Sequence, residues 1–177
     1  MKANWKLIAA GSVPALCFLL YRKTKAMGQS STEAKNLRAF LVMIQYAEGT
    51  FGKDAYRKVF GGGTVSSLNW HPNMPITKGG ITSTAAGAYQ ILGKTWAEIS
   101  GKLRLTDFGP ESQDKAAVEL IRRRKALSDV LAGRFGAAIT KCRKEWASLP
   151  GAGYNQRERS KQSLLAVYKI AGGITTA

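Results

Sequence analysis

The stretch Leu37-Arg38-Ala39-Phe40-Leu41-Val42-Met43-Ile44-Gln45-Tyr46-Ala47-Glu48-Gly49-Thr50 decides how this chain is read. Leu37, Phe40, Leu41, Ile44 and Ala47 recur at spacings of three and four, which predicts an amphipathic helix over residues 33–48. Ser30-x-x-Glu33 has the form of a capping box at its start. Gly49 is a natural left-handed stop at its end. Glu48 then falls in the last turn, one turn beyond Ile44 and near the core-facing stripe. The negative end of the helix dipole and burial beside Phe40, Ile44 and Tyr46 both disfavour an ionised carboxylate there. A raised pKa suits a general acid. The bland alternative is a solvated glutamate at a helix end.

Beyond the helix, residues 51–82 lose helical periodicity and are rich in Gly, Ser, Asn and Pro. Short strands are predicted at Arg57-Lys58-Val59-Phe60 and Thr64-Val65, with turns at residues 61–63 and at Gly79-Gly80. Ser83 and Thr84 are expected to cap a helix running through residues 87–91 to about Ser100. Further helices are expected over residues 110–124, with Pro110 in the first turn, and over 127–131, 135–146 and 159–171. Six helices and one small β-lobe make an α+β domain, mostly helical, with the lobe overhanging a cleft.

Two further segments follow Glu48 in order. They are Ser83-Thr84-Ala85-Ala86-Gly87-Ala88-Tyr89-Gln90-Ile91 and Pro150-Gly151-Ala152-Gly153-Tyr154-Asn155-Gln156, the second preceded by Trp146-Ala147-Ser148-Leu149. Together with Glu48-Gly49-Thr50 they resemble the three-part site of goose-type lysozymes and lytic transglycosylases, most closely that of the phage lambda-type endolysins. The resemblance extends over residues 36–173, and His71-Pro72 also fits it. It implies a lysozyme-like catalytic domain over residues 33–177 that cuts the MurNAc-GlcNAc β-1,4 bond of peptidoglycan glycan strands, leading to host cell lysis. Glu48 would act as acid and then base, leaving 1,6-anhydro-MurNAc ends. Gln90, aligned with the glutamine of a Gly-Leu-Met-Gln motif, and Tyr154 and Asn155, aligned with an Ala-Tyr-Asn motif, would bind substrate. Thr84 and Tyr89 belong to the same substrate-binding set, although Tyr89 reads equally well as a core aromatic. His71 reads more simply as a structural or solvated loop residue. The resemblance further implies a monomer without cofactor or metal, and dependence on a holin-type membrane protein.

Ordinary glycosidases flank the scissile bond with two carboxylates. Here Asp54 is the only acid between Glu48 and Glu98, and Arg57 stands where the phage lysozyme pattern has an aspartate nine residues on. A single-carboxylate mechanism meets that shortage, and a hydrolytic muramidase using Asp54 and water is its rival.

The chain has 177 residues and a net charge of +16. The first 25 residues hold five of the 27 basic residues and none of the 11 acids, so the body retains 22 basic residues, a net +11. So basic a body favours polyanionic partners, among them an anionic envelope. No helix-turn-helix, zinc-finger or aromatic single-strand pattern points to nucleic acid. A non-catalytic cationic wall-binding or membrane-active protein would suit the charge, but it leaves the three ordered segments unexplained. Cys17 and Cys142 make no disulfide framework, and Cys142 is expected to be a buried thiol on a stripe with Ala138, Ile139 and Trp146.

Residues 1–26 read as a membrane-targeting arm and 27–32 as a linker. The uncharged run at residues 7–21, 15 long, is shorter than a bilayer span and diluted by Ala9, Ala10, Gly11, Ser12 and Pro14. Three readings compete. A cleaved signal peptide fits the basic start but lacks a small-x-small site, and a lipoprotein anchor lacks a small residue before Cys17. The favoured reading is a weak inner-membrane tether, similar to a signal-arrest-release segment, that frees the body into the periplasm. Arg22, Lys23 and Lys25 after the run oppose export under the positive-inside rule.

Overall fold

The computed structural model describes residues 31–154 and 157–176, so the arm, the linker through Ser30 and their expected roles lie outside the described residues. Within them the chain runs α1 (Ser31–Ala47), β1 (Ile76–Lys78), β2 (Ile81–Ser83), α2 (Gly93–Leu103), α3 (Pro110–Arg123), α4 (Leu127–Ala132), α5 (Phe135–Cys142) and α6 (Lys161–Ile170). This is the α+β architecture anticipated, six helices with a two-stranded antiparallel sheet.

Helix α1 is the axis. Leu37, Phe40, Leu41, Met43 and Ile44 are buried along it, and it packs chiefly on α6 and α4. Buried Asn36 ties that junction. Its Nδ2 donates to Leu131 O at 2.9 Å and its Oδ1 accepts from Ile174 N at 2.8 Å. The helix ends in a Schellman motif: Gly49 N–H donates to Tyr46 O at 3.1 Å and Thr50 N–H to Gln45 O at 3.0 Å. Gly49 stands at φ +70, a conformation that favours glycine. Glu48 is thus the residue on which the helix stops, its own N–H still bonded to Ile44 O at 2.9 Å.

The lobe differs from expectation in its strands. Residues 57–60 and 64–65 form only isolated bridges, Lys58 with Thr64 and Val59 with Ala86. Two 3₁₀ turns, Ala55–Arg57 and Phe60–Gly62, break the extended backbone on either side. The true hairpin pairs Ile76 with Ser83 and Lys78 with Ile81 around Gly79-Gly80, both at positive φ as a tight hairpin turn demands.

The expected helix over residues 83–100 is corrected more deeply, because it starts only at Gly93. Residues 87–90 form a turn closed by reciprocal bonds between Ala86 and Ile91, at 3.0 and 2.9 Å. Gly87 at φ +78 and Gln90 at φ +47 cannot continue a right-handed helix. Thr84 still caps α2, but across the turn: its Oγ1 accepts from Gly93 N at 3.1 Å.

The buried turn has its polar groups satisfied from outside. Gln113 accepts from Ala88 N at 2.8 Å through Oε1, while its Nε2 donates to Phe108 O and Tyr56 O at 2.7 and 2.9 Å. Thr50 Oγ1 donates to Ala88 O at 2.6 Å, Trp146 Nε1 to Tyr89 O at 3.1 Å, and Gly87 N–H to Lys58 O at 2.7 Å. A Cβ on Gly87 would stand 2.1 Å from Gln113 Oε1, so glycine is required there by space as well as by φ. Gln113→Leu would strand Ala88 N and Phe108 O in the interior. At about 1–3 kcal/mol for each unsatisfied buried group, urea unfolding is expected to register a loss of at least ~2 kcal/mol. A loss under ~0.5 kcal/mol would show that the turn holds itself.

Candidate active site

The C-terminus of α1, the lobe, residues 144–148, Tyr154 and Arg157 line an open cleft of about 820 Å³. Glu48, Gln90 and Tyr154 line it, one from each of the three segments singled out in the sequence. Asn155 lies outside the described residues.

Glu48 is half-buried, and its Oε1 accepts from Ser148 Oγ at 2.5 Å. Desolvation pushes its pKa up to about 7, against the opposing influence of the serine hydroxyl. The direction matches the expectation from sequence, and burial is its principal cause. At neutral pH a carboxyl so placed is divided between acid and carboxylate, as a group must be to give a proton and take one back. The cleft's other carboxylate, Glu145, is paired with Arg124 Nε at 2.7 Å. Asp54 is exposed and does not line the cleft.

Gln90 owes its position to its left-handed backbone and to its own Nε2, which donates to Gly87 O at 3.0 Å. Tyr154 is exposed with its hydroxyl donating to Lys144 O at 3.1 Å, and Lys144 Nζ sits 5.3 Å from the ring centroid. Glu158 shapes this loop by accepting from Gly151 N and Gly153 N at 2.7 and 2.9 Å, bonds that hold its carboxyl below the usual range.

Thr84 and Tyr89 do not line the cleft. Tyr89 is 1% exposed and donates to Asp114 Oδ1 at 2.5 Å, so it is the core aromatic that its sequence context equally allowed. His71 is structural as well. It packs edge-on to Phe108 at 4.7 Å, accepts from Asn73 N through Nδ1 and faces Ile91 O through Nε2, and burial lowers its pKa. Cys142 is a fully buried free thiol, its pKa pushed up to about 12 by burial. Among the described residues no cluster of His, Cys, Asp and Glu could hold a metal ion.

Sequence reasoning quoted Ser148 but assigned it no role. A lone serine a hundred residues from its glutamate carries no periodic signal, and only the fold brings the two together.

A proton-sharing carboxyl at a helix end, facing a cleft between a helical body and a small β-lobe, defines a lysozyme-like enzyme. Comparison with known proteins is narrower. The Endolysin family model matches residues 38–175. The chain is 40% identical to the endolysin of Escherichia phage P2, over 79% of this chain and 94% of that protein. It is 39% identical to the endolysin of Escherichia phage lambda, over 77% and 90%. Its fold superimposes on bacteriophage lambda lysozyme complexed with a chitohexasaccharide with a TM-score of 0.77 at 38% identity, covering 80% of this chain and 97% of that one. A second structure of lysozyme from bacteriophage lambda gives a TM-score of 0.73 at 37% identity. The chain belongs to the endolysin family, lysozyme-like phage enzymes that open the bacterial wall.

Ser148→Ala tests the electrostatics. It removes a bond that lowers the Glu48 pKa, so that pKa is expected to rise further. The side-chain carboxyl of Glu48, followed by ¹³C NMR across pH, should titrate at higher pH in the variant than in the wild type. A midpoint that stays in place or moves to lower pH would contradict this account of its electrostatics.

Proposed function

We propose that the enzyme cleaves the MurNAc-GlcNAc β-1,4 bond as a lytic transglycosylase, with Glu48 as its only acid–base group. The observation that carries this reading is that Glu48 is the one unpaired carboxyl among the described residues lining the cleft, with a pKa near 7. Glu48 gives its proton to the bridging oxygen as the glycosidic bond breaks. The resulting carboxylate takes the proton from the C6 hydroxyl of MurNAc, whose oxygen closes on the anomeric carbon. The glutamic acid is regenerated and no water is consumed. An intramolecular nucleophile has a high effective concentration, which removes the need for a second carboxylate to activate water.

Gln90 and Tyr154 line the same cleft as Glu48 and are suited to hold the sugars there. Asn155, adjacent in sequence to Tyr154, is assigned to the same task from its motif. The lambda lysozyme complexed with a chitohexasaccharide supports a glycan chain as the occupant.

Mass spectrometry of products released from purified wall is the test. Glycan ends closed as anhydro-MurNAc should be one water lighter than reducing ends, about 18 mass units, because closure leaves water out. Predominantly reducing ends would instead identify a hydrolytic muramidase. Glu48→Gln keeps the side-chain shape without an exchangeable proton, and its activity should fall at least ~10²-fold with folding preserved. A folded variant with near wild-type activity would remove Glu48 from the chemistry.

For the arm, we infer a marginal tether at residues 7–21 that holds the body on the periplasmic face of the inner membrane until release. Among the described residues no helix is long and apolar enough to cross a membrane. Full-length protein is expected in both membrane and soluble periplasmic fractions. Leucines at Ala9, Ala10, Gly11 and Ser12 should confine it to the membrane and delay lysis. A mature chain starting near Gly28 would establish a cleaved signal.

A further inference from the structure

Among the described residues, four cationic side chains line the cleft, Lys58 and Lys78 from the lobe and Lys144 and Arg157 from the loop region after α5. Their surroundings differ from those of the seven basic residues that the fold pairs with acids, and what sets them apart from the remaining cations is that they line one cleft. Lys102, Lys115, Arg122, Arg123, Arg124, Arg134 and Lys141 are each paired with a carboxylate at 2.5–3.3 Å. None of the four cleft cations has an ion-pair partner among the described residues. Lys78 Nζ and Lys144 Nζ are positioned by backbone carbonyls, Gly61 O at 2.8 Å and Ala152 O at 2.7 Å. Such bonds orient an ammonium group without neutralising it, and each ammonium keeps donors to spare. Arg124 occupies Glu145, while Glu158 offers Lys144 partial compensation from beyond ion-pair distance.

The sugar backbone of a glycan strand, hydroxyls and acetamides, is neutral and offers such a lining no counter-charge. The peptide stems on the lactyl groups of MurNAc do, because they carry free carboxylates. We propose that the cationic walls of the cleft read these stem carboxylates, so that the preferred substrate is a stem-bearing glycan strand rather than the bare sugar chain. The inference rests on the glycan-cleaving reading above and adds a determinant of substrate choice to it. A cleft lined by one sign of charge concentrates an oppositely charged substrate and speeds its capture, and the effect fades as salt shortens the screening length to about 10 Å at 0.1 M.

The test compares three substrates with the full chain. They are glycan strands with intact stems, the same strands stripped of stems by an amidase with the lactyl carboxyls so exposed capped as amides, and stem-bearing strands whose carboxyls have been converted to amides. At low salt kcat/KM is expected to be at least ~10-fold higher on the intact strands than on either of the others. That ratio should collapse toward one in a Lys58→Gln, Arg157→Gln double variant, and toward one in the wild type at 0.5 M salt. Equal rates on all three substrates, or a preference unmoved by both the double variant and salt, would overturn the proposal. Failure to cleave any of the three would overturn the glycan-cleaving reading itself.

Discussion

The clamp on the buried turn at residues 87–91 is the constraint on which the rest depends. A turn with two left-handed residues, placed in the interior, cannot satisfy its own peptide groups and must borrow partners. Gln113, Thr50, Trp146 and the Lys58 carbonyl supply them. Thr50 follows Glu48 by two residues and Trp146 precedes Ser148 by two. Satisfying the turn therefore docks the end of α1 and the start of the 146–154 loop onto one another. The geometry of Glu48 and Ser148 follows from hydrogen bonds that neither residue makes.

Four carboxyls show how one interior sorts charge. Glu119 is pulled down to about 2 by hydrogen bonds, first from Arg122 and then from Lys102 and Arg123, and Asp129 is lowered by Lys141 and Arg134. Asp114 goes the other way, up to about 6, because burial outweighs the hydroxyls of Tyr89 and Tyr56 that it accepts. Its native state binds a proton more tightly than the unfolded chain. Its contribution is therefore fully present below pH 4 and is lost as pH rises through 6. Glu48 shares the cause and differs in its address, since it opens onto the cleft and Asp114 is sealed behind the core. Burial tunes both carboxyls, but only one is placed where substrate can reach it.

Helix α1 was legible because its apolar period, its glycine stop and its packing all agree. The raised pKa of Glu48 was legible for the same reason, since a helix end beside apolar neighbours is a local fact. The turn at residues 87–91 was not. Ser83-Thr84 followed by alanines reads locally as a capped helix, and the forces that bend it arrive from Thr50, Gln113 and Trp146, far away in sequence. The strands went astray at a smaller scale, where two 3₁₀ turns interrupt a stretch of good strand formers and the hairpin lies on either side of Gly79-Gly80. Thr84 kept its role as a cap while the helix it caps starts downstream, at Gly93. Tyr89 illustrates the limit of motifs, because a residue inside a site's sequence can face the core behind the site.

The central claim is that Glu48 holds its proton near neutrality because the fold has buried it. It is tested most directly by labelling the glutamate side-chain carboxyl carbons with ¹³C and following their shifts across pH, which leaves Asp114 silent. One resonance is expected to titrate at about 7 and to be missing from the Glu48→Gln protein. If every glutamate titrated at or below the ordinary value of 4.5, Glu48 would be an exposed carboxylate at the pH of lysis, and the account of its chemistry would fail.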